Sequence, residues 1–89
     1  MEIIYSKKIT KDVKGIKDKK IIQKITLVIN ELKEIDNISQ IKNLKKMKGK
    51  TANAYRIRIG EYRLGFFEEN DTIILARLVK RSDIYKVFP

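Results

Sequence analysis

Every arginine of the chain, Arg56, Arg58, Arg63, Arg77 and Arg81, falls in its C-terminal part, whereas lysine fills every basic position from Lys7 to Lys50. A guanidinium is a rigid planar fork of donors that meets two phosphate oxygens at once; the ammonium of lysine is a point charge that does not. The local change from lysine to arginine therefore points to phosphate recognition. The spacing sharpens this. Tyr55-Arg56-Ile57-Arg58-Ile59 alternates strictly, Tyr62-Arg63-Leu64-Gly65-Phe66 alternates again, and Gly60-Glu61 lies between them. A two-residue link with glycine first suits a tight hairpin. In that register Ile59 faces Tyr62, Arg58 faces Arg63 and Arg56 faces Gly65, so Arg56, Arg58 and Arg63 share one face. Like charges directly opposed on a sheet are destabilising. The Arg58–Arg63 pair reads as a seat for an anion, with bare Gly65 leaving room for a backbone to approach.

The lysines extend the same surface. No acidic residue occurs between Asp36 and Glu61, a stretch that carries Lys42, Lys45, Lys46, Lys48 and Lys50 as well as Arg56 and Arg58. A continuous basic strip of this kind suits a nucleic-acid backbone. Among the aromatics, Tyr55, Tyr62 and Phe66 read as packing, and Tyr85, close to Lys80 and Arg81, is the candidate for base stacking or a chemical role. Cysteine and histidine are both absent, which removes disulfides, thiol nucleophiles, the usual zinc sites and all imidazole chemistry. No metal or cofactor is expected. Proton transfer would fall to Lys48, Lys80 or Tyr85, because crowded cations disfavour an ammonium and favour a phenolate. With 21 Lys and Arg against 11 Asp and Glu, the net charge of +10 calls for a polyanionic partner, nucleic acid or acidic protein.

The elements that must hold these side chains are legible in outline. At 89 residues and 43% hydrophobic, the sequence suits a single folded domain over 1–89. Glu2-Ile3-Ile4-Tyr5 reads as a short strand. Ser6 stands where a helix N-cap would, followed by Ile9, Val13 and Ile16 at helical spacing. Lys17 to Lys20 reads as a turn. Ile21, Ile25, Val28, Leu32 and Ile35, widened by Ile22 and Ile29, predict a second amphipathic helix, so the two form a helical hairpin. Strands follow over Tyr55–Ile59, Tyr62–Phe66 and Thr72–Val79, with Asn70-Asp71 marking the second turn and a short segment closing the chain. The expected class is α+β: an N-terminal strand and helical hairpin packed on an antiparallel sheet that ends in a three-strand meander. The opening residues lack the pattern of a signal peptide and no apolar run approaches a membrane span, which predicts a cytoplasmic protein without membrane partners.

Taken together, Leu44-Lys45-Lys46-Met47-Lys48-Gly49, the hairpin Tyr55 to Phe66, and Leu78-Val79-Lys80-Arg81-Ser82-Asp83-Ile84-Tyr85 resemble the RelE/ParE toxins of type II toxin–antitoxin systems. The resemblance covers essentially the whole chain. It implies a ribosome-dependent endoribonuclease (an mRNA interferase) that cuts mRNA in the A site and so inhibits translation. It also implies a cognate acidic antitoxin, RelB-like, through which alone operator DNA would be bound. The ParE-like branch of the same fold inhibits DNA gyrase without nuclease activity, and is the alternative. By the resemblance, Arg63 matches the arginine that stabilises the phosphate in the transition state. Arg56 and Arg58 stand where the founding type has lysines that orient RNA, Lys80 or Arg81 matches the C-terminal general acid, and Tyr85 matches the tyrosine that orients substrate. Lys45, Lys46 and Lys48 would add RNA-binding charge. The chain departs from the pattern in two places. Lys45 and Lys46 stand where some relatives carry a glutamate base, and Lys80 stands where many have histidine. Arginine at 56 and 58 is also a poor proton acceptor.

Overall fold

Ser6 caps a helix as its position suggests: in the computed structural model its Oγ accepts the Ile9 N–H at 3.1 Å. The structure describes residues 1–47 and 53–89. Strand β1 (Glu2–Tyr5) leads through that cap into α1 (Lys7–Lys14), and α2 (Lys19–Glu34) follows. Asp18 caps α2 by accepting the Lys20 N–H at 2.9 Å, so Lys19 and Lys20 belong to the helix and not to the expected turn. After a single 3₁₀ turn come β2 (Leu44–Lys46), β3 (Ala54–Ile59), β4 (Tyr62–Glu69), β5 (Thr72–Lys80) and α3 (Arg81–Val87).

Strand order is β1-β5-β4-β3-β2. β1 runs parallel to β5 with Ile3 beside Ile73, while all other neighbours are antiparallel. The sheet is thus mixed, which corrects the wholly antiparallel expectation. Apolar alternation reports which face of a strand is buried and carries no information on its direction. Two elements went unread for the same kind of reason. β2 is three residues long and mostly lysine, and α3 has seven residues, too few to show a period.

The α1–α2 hairpin covers one face of the sheet. Ile9, Ile25 and Leu32 meet Ile57, Leu64, Phe66, Ile73 and Leu75 there, all nearly inaccessible. Full burial of each such side chain contributes about 1.5–3 kcal/mol. A bulge makes the pattern possible. Gly65 pairs with Arg77 but Phe66 pairs with Leu75, so Ala76 is the extra residue. That one-residue shift lets Leu75 and Leu78, which strict alternation would send to opposite faces, both join the helix-side core. Tyr55 stacks on Phe66 with ring centroids 5.6 Å apart, in the packing role expected of both. On the opposite face α3 lies over β4 and β5 and buries Ile84 and Phe88 with Ala54. Among the described residues no helix is long and apolar enough to cross a membrane.

α1 also finishes the edge of β5 that β1 leaves open beyond Leu75. Ser6 Oγ donates to the Ala76 carbonyl at 3.0 Å. Asp12 accepts the Leu78 N–H at 2.9 Å and both arms of the Arg77 fork at 2.8 and 3.1 Å. This arginine is occupied by a carboxylate, so it leaves the group of phosphate ligands that composition alone suggested.

Candidate functional site

The hairpin forms in the register that alternation demands. Gly60 takes the left-handed conformation with φ +60°, and Arg58 stands opposite Arg63 and Arg56 opposite Gly65. Their face is the one that α1 and α2 leave uncovered. β2 adds Lys45 opposite Arg56 and sets Lys46 opposite Tyr55. Because Tyr55 packs into the helix-side core, alternation puts Lys46 on that side of the sheet, away from the arginines. Lys48 lies outside the described residues, as do Gly49 and Lys50.

Two adjoining hollows share Arg58 and Arg63 as their common wall. One, of about 380 Å³, is completed by the Gly60-Glu61 turn and by Lys80, Arg81 and Ser82 at the start of α3. The other, of about 270 Å³, is completed by Asn43, Leu44, Lys45 and Arg56. Arg63 is held at the divide by its Nη1, which donates to the carbonyls of Gly60 and Tyr62, each at 2.9 Å. Among the described residues the only ion pair is Arg77–Asp12, so the cations lining these hollows form no ion pair, although Glu61 lies at the wall of the first. Partial burial lowers the Arg63 pKa, and repulsion from Arg58, Arg81 and Arg56 lowers it further. Arginine stays protonated even so, and an anion between these groups would relieve the strain of like charges.

Arg56 differs from its neighbours. It is only 8% exposed, and a buried charge needs partners. Its Nη2 donates to Tyr85 Oη at 3.0 Å, and its guanidinium carbon lies 4.7 Å from the centroid of the same ring. The hydrogen bond from Arg56, then its charge, depress the Tyr85 pKa; burial opposes this slightly, while Lys45 and Arg81 act in the same direction as Arg56. Tyr85 stays 67% exposed, so a phenol biased toward phenolate is open to solvent beside the second hollow.

The room above Gly65 is not what the sequence suggested. A Cβ built there would stand 2.6 Å from two carbons of the Phe88 ring. The bare glycine admits an aromatic ring of α3's C-terminal end and not a phosphate backbone. Sequence reasoning also passed over Asn43 and Ser82, which line the hollows. Asn43 carries a signal of sorts: it has φ 63°, a conformation that asparagine tolerates better than most residues. The structure thus gathers Lys45, Arg56, Arg58, Arg63, Arg81 and Tyr85 on one side of the sheet. Lys80 lines the first hollow but stands opposite Tyr62 of the helix-side core, Lys46 lies on the helix side, and Arg77 is taken by Asp12.

No family model matches the chain. Toxin RelE3 of Methanocaldococcus jannaschii is 38% identical over 90 residues, which span all of both chains. In the crystal structure of the RelB–RelE antitoxin–toxin complex from Methanococcus jannaschii, a chain 36% identical superposes with a TM-score of 0.81, covering 97% of this chain and 99% of that one. The YoeB dimer of Staphylococcus aureus is 25% identical with a TM-score of 0.73, covering 90% and 94% respectively.

Proposed function

The chain belongs to the RelE family of toxins, and from that premise we propose that it is a ribosome-dependent endoribonuclease that cuts mRNA in the A site. The observation that carries this reading is the Arg58–Arg63 divide, cationic on both sides and without a carboxylate partner among the described residues. An RNA strand laid across it would have its scissile phosphate on Arg63 and Arg58. The neighbouring nucleotides would lie toward Lys45 and Arg56 on one side and Lys80 and Arg81 on the other.

The reaction is an intramolecular attack. The ribose 2′-oxygen bonds to the adjacent phosphorus as the bond to the 5′-oxygen breaks, leaving a 2′,3′-cyclic phosphate and a 5′-hydroxyl. Two proton movements and one charge must be managed. Arg63 and Arg58 neutralise the charge that builds on the phosphate oxygens, which for one fixed donor is worth about 10²–10³ in rate. Tyr85, held toward phenolate by Arg56, takes the 2′-hydroxyl proton. Lys80, an ammonium that can release a proton where arginine cannot, delivers one to the leaving 5′-oxygen, with Arg81 beside it. The ribosome supplies the alignment of 2′-oxygen, phosphorus and 5′-oxygen that an exposed, shallow site does not impose.

The relative from Methanococcus jannaschii was crystallised as a RelB–RelE complex. By the same pairing this chain is held inactive by a cognate acidic antitoxin. Primer extension on mRNA bound to ribosomes tests the activity: wild type should give stops within the A-site codon, and Tyr85→Phe should weaken them. An intact message together with loss of gyrase supercoiling would replace this reading with the ParE-like one.

A further inference from the structure

Seven residues do not make a stable helix by themselves, and Lys80 at the N-cap of α3 contributes no side-chain bond. What seats α3 is a pair of side chains one turn apart on its sheet-facing side, Ile84 and Phe88, in a small cluster with Ala54. Phe88 is 5% exposed and its ring centroid lies 5.1 Å from that of Phe67. On its other side it rests on the backbone of Gly65, so closely that a methyl group would not fit between them. Gly65 is the ladder partner of Arg56. The strand position that stops the Phe88 ring is thus tied directly to the strand position that carries the guanidinium. Tyr85 precedes Phe88 by three positions and shares its side of the helix. With 67% of its surface exposed, Tyr85 has little packing around its ring beyond the Arg56 guanidinium.

We propose that Phe88, resting on Gly65, is the positioning residue that sets the height of α3 above the sheet and so brings the Tyr85 hydroxyl to Arg56. This rests on the reading that Tyr85 works at the cationic site, and it deepens that reading by naming what aims the phenol. Gly65 is glycine because the ring must reach the strand. A side chain there would push the Phe88 ring back until its 2.6 Å approach relaxes to van der Waals contact, and with it α3, opening the 3.0 Å bond between Arg56 and Tyr85.

The test follows the Tyr85 phenol itself. Protein labelled with ¹³Cζ-tyrosine is titrated by NMR, with Tyr85→Phe identifying the resonance, for wild type, Phe88→Ala, Phe88→Leu, Gly65→Ala and Gly65→Ala/Phe88→Ala. In wild type the Tyr85 midpoint should lie below that of a free tyrosine, because Arg56, Lys45 and Arg81 favour the phenolate. In Phe88→Ala it should move up toward the free value, while Phe88→Leu should keep it nearer to wild type. Gly65→Ala should shift it as Phe88→Ala does, and the double variant no further than either single one. On ribosome-bound mRNA, Phe88→Ala should cleave about 10- to 100-fold more slowly, the usual penalty for displacing a reacting group by about an ångström. A Tyr85 midpoint unmoved in folded Phe88→Ala overturns the proposal, since a purely structural role lowers the melting temperature without touching the phenol. If Phe88→Ala does not fold, Gly65→Ala and Phe88→Leu decide the matter by the same readout. The titration needs no ribosome, so a wild type that cuts no RNA would refute the functional reading while the positioning is still measured.

Discussion

Replacing Arg63 with alanine separates the chemistry from the fold because the arginine contributes so differently to each. In the folded chain its Nη1 donates to the Gly60 and Tyr62 carbonyls at 2.9 Å. In a partly solvated setting these are worth about 0.5–1.5 kcal/mol each. Against that loss, removing one of two like charges directly opposed across β3 and β4 returns roughly 0.2–1 kcal/mol. The net change lies between near zero and about 3 kcal/mol of destabilisation, inside the roughly 5–15 kcal/mol of a typical domain. For a chain of this size the melting temperature should fall by no more than about 20–25 °C. At the phosphate there is no such compensation. Loss of a fixed donor facing developing charge costs about 2.7–4 kcal/mol of barrier, a fall of 10²–10³ in rate. Circular dichroism should show a folded Arg63→Ala protein, and single-turnover primer extension on ribosomes should show cleavage reduced by that factor. Arg63→Lys should recover only part, because the charge is restored without the fork. Wild-type cleavage by folded Arg63→Ala would refute the assignment of the phosphate to this divide.

Arg77→Ala should do the opposite: losing the two-armed bond to half-buried Asp12 should cost about 1–3 kcal/mol in urea unfolding with cleavage at permissive temperature intact. An unchanged unfolding midpoint would show that the pair contributes nothing. The cleavage rate should rise with pH and level off below the ordinary tyrosine value of about 10, because an acid whose pKa is depressed reaches its anionic form at lower pH. No limb should appear near 6.5, and Tyr85→Phe should abolish the rise; a rise that survives the substitution assigns the proton to another group. That depressed pKa stabilises the fold fully only above the unfolded tyrosine value, and the gain is lost as pH falls through the folded value. Association with an acidic antitoxin should slow steeply as salt is raised, given the net charge of +10. A salt-independent on-rate measured by stopped flow would point instead to an apolar contact.

Much of this architecture is written in local pattern, and the reasons are local. Strict alternation on either side of Gly60-Glu61 dictated both the hairpin and its register, because a one-residue slip would bury Arg58 and expose Ile57 and Ile59. The stripe from Ile21 to Ile35 required a helix with one buried face, and Ser6 marked where the first helix begins. The same alternation put Arg56, Arg58 and Arg63 together, and the absence of histidine excluded imidazole chemistry.

What needed the tertiary structure depends on contacts between residues far apart in sequence. The parallel pairing of β1 with β5, and the placing of Lys46 on the helix side through β2, follow from how strands assemble and not from any one strand. Arg77 looks like its fellow arginines until α1 brings Asp12 to it. Gly65 looked like an opening for a phosphate until α3 set Phe88 on it. Arg56 reads as one more free cation of the face until α3 brings the Tyr85 hydroxyl to it. Hydrophobic period reports only whether a side chain faces inward. Which partner it meets there is decided when the helices and the sheet close on each other, and in this protein that closure gives Arg77 to Asp12 and leaves Arg58 and Arg63 lining the hollows.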